Sequence, residues 1–535
     1  MPATERNLGL ARSAGLSGAA TLTSRLLGLA REQVLAARFG AGNEMDAFYV
    51  AFRIPNLVRD LFAEGAMSAA FVPAFTRQLT LHGRAAAWRL ANSVLNALLL
   101  TTLTLVAAGL VFTGPLVSLY AGDYAGVPGK LELTILLTRV MLPFLAMVAV
   151  ASVAMGMLNA LHHYFVPALS PAIFNVATIV CALVLAPVMP SFGLPGIMAI
   201  AIAVLLGGLG QILVQWPALA REGFRYAPVL DRRDPALRDI VLLMGPGTIG
   251  LAATQVNIFV STLLATSPGT GAVSWLNYAF RLMYLPAGLF GVSIATAVLP
   301  AVARHAAVGE LAHVRATVSR GLAMMLMMNI PATLGLLVLA RPIVELLFEH
   351  GRFTAADTEA TAALLRLYAL GLIGYSAARI ASPIFYALRQ SRTAVAVSLL
   401  AIAGNVLLSV LLVALMGFRG LALSTAVAAL GHGGLLVLLL HRRLGGIETK
   451  RLTVGFAKIL AAGTLMAVAA WGIESAMNGF LPGPQIFRQG ARLAAAIGGG
   501  LAVLFAGARL LRVRELDDAM GVLGSWSAKS NGAAI

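Results

Sequence analysis

The stretch Asp46-Ala-Phe-Tyr-Val-Ala-Phe-Arg53-Ile-Pro55-Asn56-Leu-Val-Arg59-Asp60-Leu-Phe-Ala-Glu64-Gly65 decides how this chain is read. It lies inside a long apolar segment ending near Arg77, yet Asp46, Arg53, Arg59, Asp60 and Glu64 are all charged. A charge at mid-bilayer costs at least ~2.5–3.5 kcal/mol on insertion scales, so five in one span would not persist facing lipid. They face a wet or protein-lined interior. At ~100° per residue, Arg53, Asp60 and Glu64 fall within about 40° of one another on a helix, with Asn56 beside them. Pro55 removes a backbone hydrogen bond and bends this polar stripe. The plainer alternative is a salt-bridge ladder, Arg53 to Asp60 and Glu64, that only locks helices together.

Composition sets the class around that stretch. At 535 residues, 59% hydrophobic and 11% charged, the chain is far outside the soluble range and reads as an all-α, polytopic membrane protein. The single Cys181 excludes a disulfide framework and a cysteine metal site. Met1 to Leu10 carries Glu5, Arg6 and Asn7 and has no clean cleavage site, so no removable signal peptide is expected. The net charge of +17 would suit nucleic acid, but its placement follows membrane topology instead.

Apolar segments long enough to span number about fourteen: 9–38, 46–76, 90–118, 132–160, 166–188, 194–219, 238–265, 272–302, 315–339, 358–387, 393–416, 420–441, 453–477 and 488–511. With the N-terminus inside, inner loops and tails collect roughly 23 Lys and Arg, against roughly 7 outside. Both termini are therefore expected in the cytoplasm. The polar inner connection divides an N-lobe, 1–222 with six helices, from a C-lobe, 238–445 with six more, through a cytoplasmic linker at 223–237. Two further helices occupy 446–515, and a cytoplasmic tail follows at 516–535.

Internal repetition supports two lobes. Ala51-Phe-Arg53, Leu61-Phe62, Pro73-Ala74 and Arg77 recur as Ala279-Phe-Arg281, Leu289-Phe290, Pro300-Ala301 and Arg304, and Gly28-Leu-Ala-Arg31 through Val34 recurs as Gly250 through Val256. The offsets of about 228 and 222 residues enclose six spans, so both copies point the same way through the membrane. The second copy keeps Arg281 but not the charges of Arg31, Glu32, Arg59, Asp60 and Glu64. A symmetric scaffold would keep both sets or neither, so the first-lobe charge reads as site chemistry.

At 1.5 Å rise per residue, Arg25 and Arg31 stand roughly 24 and 33 Å from the inner end of the first helix, and Arg59 and Arg53 about 25 and 35 Å up the second. Arg281 stands near the level of Arg53. Planar guanidinium forks bind phosphate oxygens bidentately, so Arg25, Arg31, Arg53, Arg59 and Arg281 imply a phosphate-bearing ligand in one cavity between the lobes. Snorkelling toward headgroups is the bland account of any single arginine, and it suits Arg139, Arg366 and Arg379. Elsewhere the chemistry is thin. His162, His163 and His441 lie at helix ends with no carboxylate four residues away, so a metal site there is not expected. Gly245-Pro-Gly247 and Pro286-Ala-Gly288 read as hinges, and no phosphate-cradling Walker loop occurs.

Several motifs carry a resemblance: Ser24-Arg-Leu-Leu-Gly-Leu-Ala-Arg31, Asp46 through Leu57, Phe62-Ala-Glu64-Gly65, Phe71-Val-Pro73, and Gly271-Ala-Val-Ser-Trp275 with Arg281-Leu-Met283. Over essentially its whole length the chain resembles the MurJ/MviN lipid II flippases of the multidrug/oligosaccharidyl-lipid/polysaccharide exporter superfamily. The resemblance implies fourteen helices, a cationic cavity, and a groove near the last two helices for a polyprenyl tail. The implied cargo is lipid II, an undecaprenyl-diphosphate-linked disaccharide-pentapeptide, moved from the inner to the outer leaflet of the cytoplasmic membrane for peptidoglycan synthesis. By position, the family's important arginines fall on Arg25, Arg31, Arg53, Arg59 and Arg281, and its acids on Asp46 and Glu64. The chain departs from the family at Asp60, where a basic residue is usual, and at Phe280 and Tyr284, where acids flank the arginine. A sodium site known in relatives would fall here on Asn405, Ser409 and Thr425, which bring no carboxylate.

The expectation is a flippase working by alternating access, without a cofactor and driven by membrane potential, with Asp46, Asp60 and Glu64 pairing with arginines in gating. Its partners are lipid II, membrane lipids and cell-wall synthesis proteins, and not nucleic acid. The alternatives are a flippase for another polyprenyl-diphosphate-linked glycan, or a drug or cation antiporter, which needs uncompensated cavity acids. An enzyme acting on polyprenyl phosphate would need a clustered base or metal-binding acids, and the sequence has none. A non-transporting scaffold is separated by whether lipid II is trapped inside on depletion.

Overall fold

A computed structural model describes residues 3–59, 66–231, 233–267, 269–480, 485–513 and 515–516. Among them every regular element is a helix: α1 (Ala3–Phe39), α2 (Asn43–Arg59), α3 (Ala66–Ala121), α4 (Lys130–Met141), α5 (Phe144–Ala160), α6 (Phe165–Val180), α7 (Met198–Arg221), α8 (Pro235–Thr266) and α9 (Ala272–Pro286). There follow α10 (Val292–Ala307), α11 (Leu311–Phe348), α12 (Ala355–Leu370), α13 (Leu372–Ala387), α14 (Ser391–Met416), α15 (Phe418–Arg443), α16 (Thr449–Phe480) and α17 (Ile486–Leu510).

The fourteen apolar segments fall largely on helical chain, the fifth ending in a turn at 186–188, the sixth starting at 194 before α7 at Met198, and residues 60–65 of the second lying outside the described residues. Ten helices are long and apolar enough to cross a membrane among the described residues, or eleven with the pair α12 and α13, which bend by 42°. The element count differs from a crossing count for physical reasons. As a straight rod, α3 would reach about 84 Å, more than twice the hydrocarbon thickness of ~30 Å, and it breaks at Gly83, whose φ of 82° lies in the left-handed region. At 17 residues, with Glu44, Asp46, Arg53 and Arg59, α2 is too short and too charged to qualify alone.

Packing gathers the chain into two compact units, Met1–Ser274 with His350–Phe353, and Trp275–Glu349 with Thr354–Ile535. The first is built on a core of Phe71, Phe75, Leu90, Met157, Leu219 and Ile240, contributed by α3, α5, α7 and α8. The second copy of the sequence repeat starts within α8, the C-lobe at 238 and its first matched residue at Gly250, whereas packing keeps α8 with α3, the Phe259 ring lying 5.9 Å from Tyr120. Residues 223–231 are strapped along α3: Asn92 donates to the Arg225 carbonyl and accepts from Ala227 N–H at 3.1 and 3.0 Å, and Asn96 donates to the carbonyls of Ala227 and Val229.

The second unit centres on Val302, Val318, Leu322, Ile384, Phe385 and Leu436 of α10, α11, α13 and α15. A Cβ on Gly374 would sit 2.3 Å from the Ala429 carbonyl oxygen and one on Gly433 2.4 Å from that of Gly374, so only glycine permits the α13–α15 crossing. The last two helices pair with each other and lie along α11, through clusters around Ile330 and Ile459 and around Leu339, Ala470 and Leu493. Leu400, Leu407 and Leu415 of α14 stand exposed, as a lipid-facing surface requires.

Candidate functional site

The apolar side of α2 fixes where its arginine stands. Phe48 and Phe52 stack at 5.8 Å, and Phe52 continues to Phe144 of α5 at 5.9 Å and to Phe174 of α6 at 6.2 Å. Arg53, one position and about 100° further round, is therefore carried on the flank of this aromatic face, half-buried. The Tyr120 hydroxyl donates to the Val50 carbonyl at 3.0 Å and ties the same turn to the end of α3.

Two consecutive charges of α1 meet that face. Glu32, 2% exposed, accepts from Nη2 and Nε of Arg31 at 2.6 and 3.2 Å and from the Tyr49 hydroxyl at 2.8 Å. A buried carboxylate loses several kcal/mol of hydration, of order 5, and these charge-assisted bonds offset it. The Arg31 guanidinium also lies over the Phe174 ring at 5.7 Å, so the ring that supports Phe52 supports Arg31 as well. Arg25 is exposed one turn and a half earlier, just after Ser24, whose carbonyl accepts from Asn175 of α6 at 3.0 Å.

Asp46 is a buried charge with every oxygen satisfied. It is 0% exposed, and its Oδ2 accepts from Lys130 Nζ at 2.9 Å and from Gly271 N–H at 2.7 Å. Its Oδ1 accepts from the backbone N–H and hydroxyl of Ser274 at 3.0 and 2.7 Å. The carboxylate thus caps the N-terminus of α9, where unpaired N–H groups and the helix dipole favour an anion. Lys130 is buried too, its ammonium 4.0 Å from the Tyr124 ring centre. The partner of Asp46 is accordingly a lysine and a helix end, where the sequence led us to expect an arginine. Around it Thr270 donates to Asn43 at 2.9 Å, and Arg352 pairs with Glu44 at 3.1 Å while its N–H bonds to the Ala37 carbonyl.

The side chain of Arg59, and Asp60 and Glu64 entirely, lie outside the described residues. In the second unit Arg281 is exposed on α9. The positions before and after it build an aromatic wall: Phe280 meets Tyr284, Tyr368 and Tyr375 at 5.7, 5.4 and 6.3 Å. Arg379 donates to the Tyr284 hydroxyl and lies over that ring at 5.3 Å. The sodium candidates are separately engaged: Asn405 is buried on α14, the neighbouring Ser409 and Ser424 hydroxyls bond each other at 2.8 Å, and Thr425 donates to the Leu421 carbonyl of its own helix at 2.7 Å. His163 bonds Glu222 at 2.9 Å, and His441 accepts from Ile447 N–H.

Sequence reasoning passed over Lys130 and Tyr49, and counted Glu32 among the first-lobe charges without giving it a partner. Lys130 is 84 positions from Asp46, so no local pattern joins them. Glu32 and Tyr49 are an acid and a phenol inside apolar helices, and that mismatch was the available signal.

A family model described as "Lipid II flippase MurJ" matches residues 35–488. A probable lipid II flippase of Vibrio cholerae is 34% identical over 524 residues, covering 95% of this chain and 97% of its own. One from Bdellovibrio bacteriovorus is 36% identical over 472 residues, covering 87% and 88%, and the lipid II flippase of Burkholderia cenocepacia is 34% identical over 427, covering 79% and 82%. Among solved structures, a lipid II flippase in an inward closed conformation superposes with a TM-score of 0.77 at 25% identity, over 93% of this chain and 99% of that one. An inward-facing multidrug transporter of the MOP superfamily, at 16% identity and a TM-score of 0.65, shares the fold over 81% of this chain and 98% of its own. The extent of the family match and of these identities places the chain in the MurJ family of lipid II flippases.

Proposed function

We propose that this multi-pass membrane protein carries lipid II from the inner to the outer leaflet of the bacterial cytoplasmic membrane, by alternating access and without covalent chemistry. The observation that carries the reading is the 34% identity that extends over 95% of the chain to a probable lipid II flippase. Fourteen crossings follow from the apolar segments, and cytoplasmic termini from the basic inner loops. Arg25, Arg31, Arg53, Arg59 and Arg281 contact the diphosphate, Arg31 with Glu32 already orienting its guanidinium. Asp46, held on Lys130 and the start of α9, acts in gating, and Asp60 and Glu64 do so toward the inner side. The α16–α17 pair offers its surface to the polyprenyl tail.

Membrane potential drives the cycle: each elementary charge gains ~2.3 kcal/mol per 100 mV, favouring outward movement of the diphosphate and inward return of an empty cationic site. The aromatic wall of Phe280 and Tyr284 supports this, because no carboxylate flanks Arg281 in sequence to take up a coupling cation. In cells depleted of the chain, lipid II labelled on each leaflet should accumulate inside. Normal outer-leaflet lipid II after depletion would reject the function.

A further inference from the structure

The turn between α10 and α11 reads His305-Ala-Ala-Val-Gly309-Glu310-Leu-Ala-His313. Its backbone is fixed twice over. Glu310 N–H bonds to the His305 carbonyl at 2.9 Å and Gly309 N–H to the Ala306 carbonyl at 3.2 Å, the paired closure of a Schellman turn, and Gly309 takes the left-handed φ of 76° that this closure needs. Glu310 then occupies the N-cap of α11, but its side chain caps no N–H there. Its carboxylate turns instead to the histidines: His305 Nδ1 lies 2.8 Å and His313 Nδ1 3.4 Å from Oε2. The two imidazoles stack at 5.0 Å with an interplanar angle of 16°, so both present Nδ1 to the same point.

We propose that His305, Glu310 and His313 form a binding site for a divalent transition-metal ion of the zinc class. Their ligand atoms lie within 4.8 Å of one another, and no other such group occurs among the described residues. Two ligands about 2.1 Å from a tetrahedral ion stand about 3.4 Å apart, so the two Nδ1–Oε2 separations need only sub-ångström adjustment, and the two imidazole nitrogens must close by at most about 1.4 Å. Two imidazoles and one carboxylate are borderline ligands that select zinc, nickel, cobalt or copper over magnesium and calcium, and three protein ligands leave a fourth position to water. All three side chains are at least a third exposed, which gives the ion an entry path. A bound ion clamps the last turn of α10 to the first turn of α11.

The site is independent of the cargo, and its test uses the untagged full-length chain in detergent titrated with zinc alone by calorimetry. One ion should bind per chain, saturably, with magnesium inert. His305→Ala and His313→Ala should each weaken binding at least about tenfold, as removal of a direct ligand exceeds the loss typical of outer-shell changes. Glu310→Gln keeps the shape of the turn and should weaken binding similarly, while His82→Ala and His441→Ala leave it unchanged. A zinc-induced rise in melting temperature should vanish in the same three ligand variants. Absence of stoichiometric binding up to about 1 mM, the weak end of specific affinity, would overturn the proposal, as would undiminished binding in the three ligand variants.

Discussion

Replacing Asp46 by Asn removes one charge from a pair in which both members are buried, the Lys130 side chain being 1% exposed and that of Asp46 0%. The ammonium is left without a counter-charge, and the new amide must turn one N–H₂ toward donors that both carboxylate oxygens now serve. Breaking a buried ion pair from one side costs about 3–5 kcal/mol, and Asp46→Asn should destabilise the folded chain by that amount. Lys130→Met should cost about as much, by leaving the buried carboxylate without its counter-charge. Together, Asp46→Asn and Lys130→Met leave no unpaired charge and keep an oxygen for Ser274, so the double variant should lose only about 1–3 kcal/mol. The singles therefore sum to far more than the double, a coupling of at least about 3 kcal/mol. Equilibrium unfolding in detergent, followed by tryptophan fluorescence or dichroism, measures all four corners of the cycle. Additive single effects, or an Asp46→Asn chain within about 1 kcal/mol of the parent, would refute the buried-pair account.

Arg53→Ala and Arg281→Ala should each lower flipping with chain abundance unchanged, because a charge-assisted phosphate contact is worth about 1.5–3 kcal/mol, ten- to a hundredfold in affinity. Lysine should restore only part of it; normal flipping in both alanine variants would remove the cationic-site reading. Collapsing the membrane potential with a potassium ionophore should stall lipid II movement in intact cells, and sodium removal at clamped potential should not; the opposite pattern would return attention to Asn405 and Thr425. Glu222 is held below the usual carboxylate range by its hydrogen bond to His163, then by the nearby charges of His163 and Arg84. With a depressed folded pKa, its contribution is fully present above the unfolded value of ~4.3 and is lost as pH falls through the folded one. Solvent screening keeps that contribution to at most ~1 kcal/mol, so Glu222→Gln should lower stability slightly at pH 7 and flatten its decline in acid. A larger loss, or an unchanged acid profile, would contradict this assignment.

Much of the helical framework was legible because the spans are long and apolar, and a polar residue in such a span stands out. The resemblance was legible for a related reason: its motifs sit where charge interrupts apolar helix, at Arg31, Asp46, Arg53 and Glu64. Periodicity placed Arg53 off the apolar face, and the Phe48–Phe52 stack shows that face occupied. Tertiary partners were not legible. Nothing local connects Asp46 to Lys130 or to Ser274, 228 positions on, so an arginine partner was assumed where a lysine and a helix end stand. The compact units were likewise hidden, since a repeat records ancestry while α8 packs by the shape of α3. The histidine turn escaped notice because its ligands are five and three residues apart, and only the Gly309 turn brings the first onto the second.

The central claim is transport of lipid II, and the most direct measurement is leaflet-resolved lipid II in vesicles reconstituted with the purified chain. Lipid II placed in one leaflet should appear in the other at a rate proportional to chain content, and slower with Arg53→Ala. Vesicles holding the folded chain that move lipid II no faster than protein-free vesicles, with a potential applied, would contradict the account.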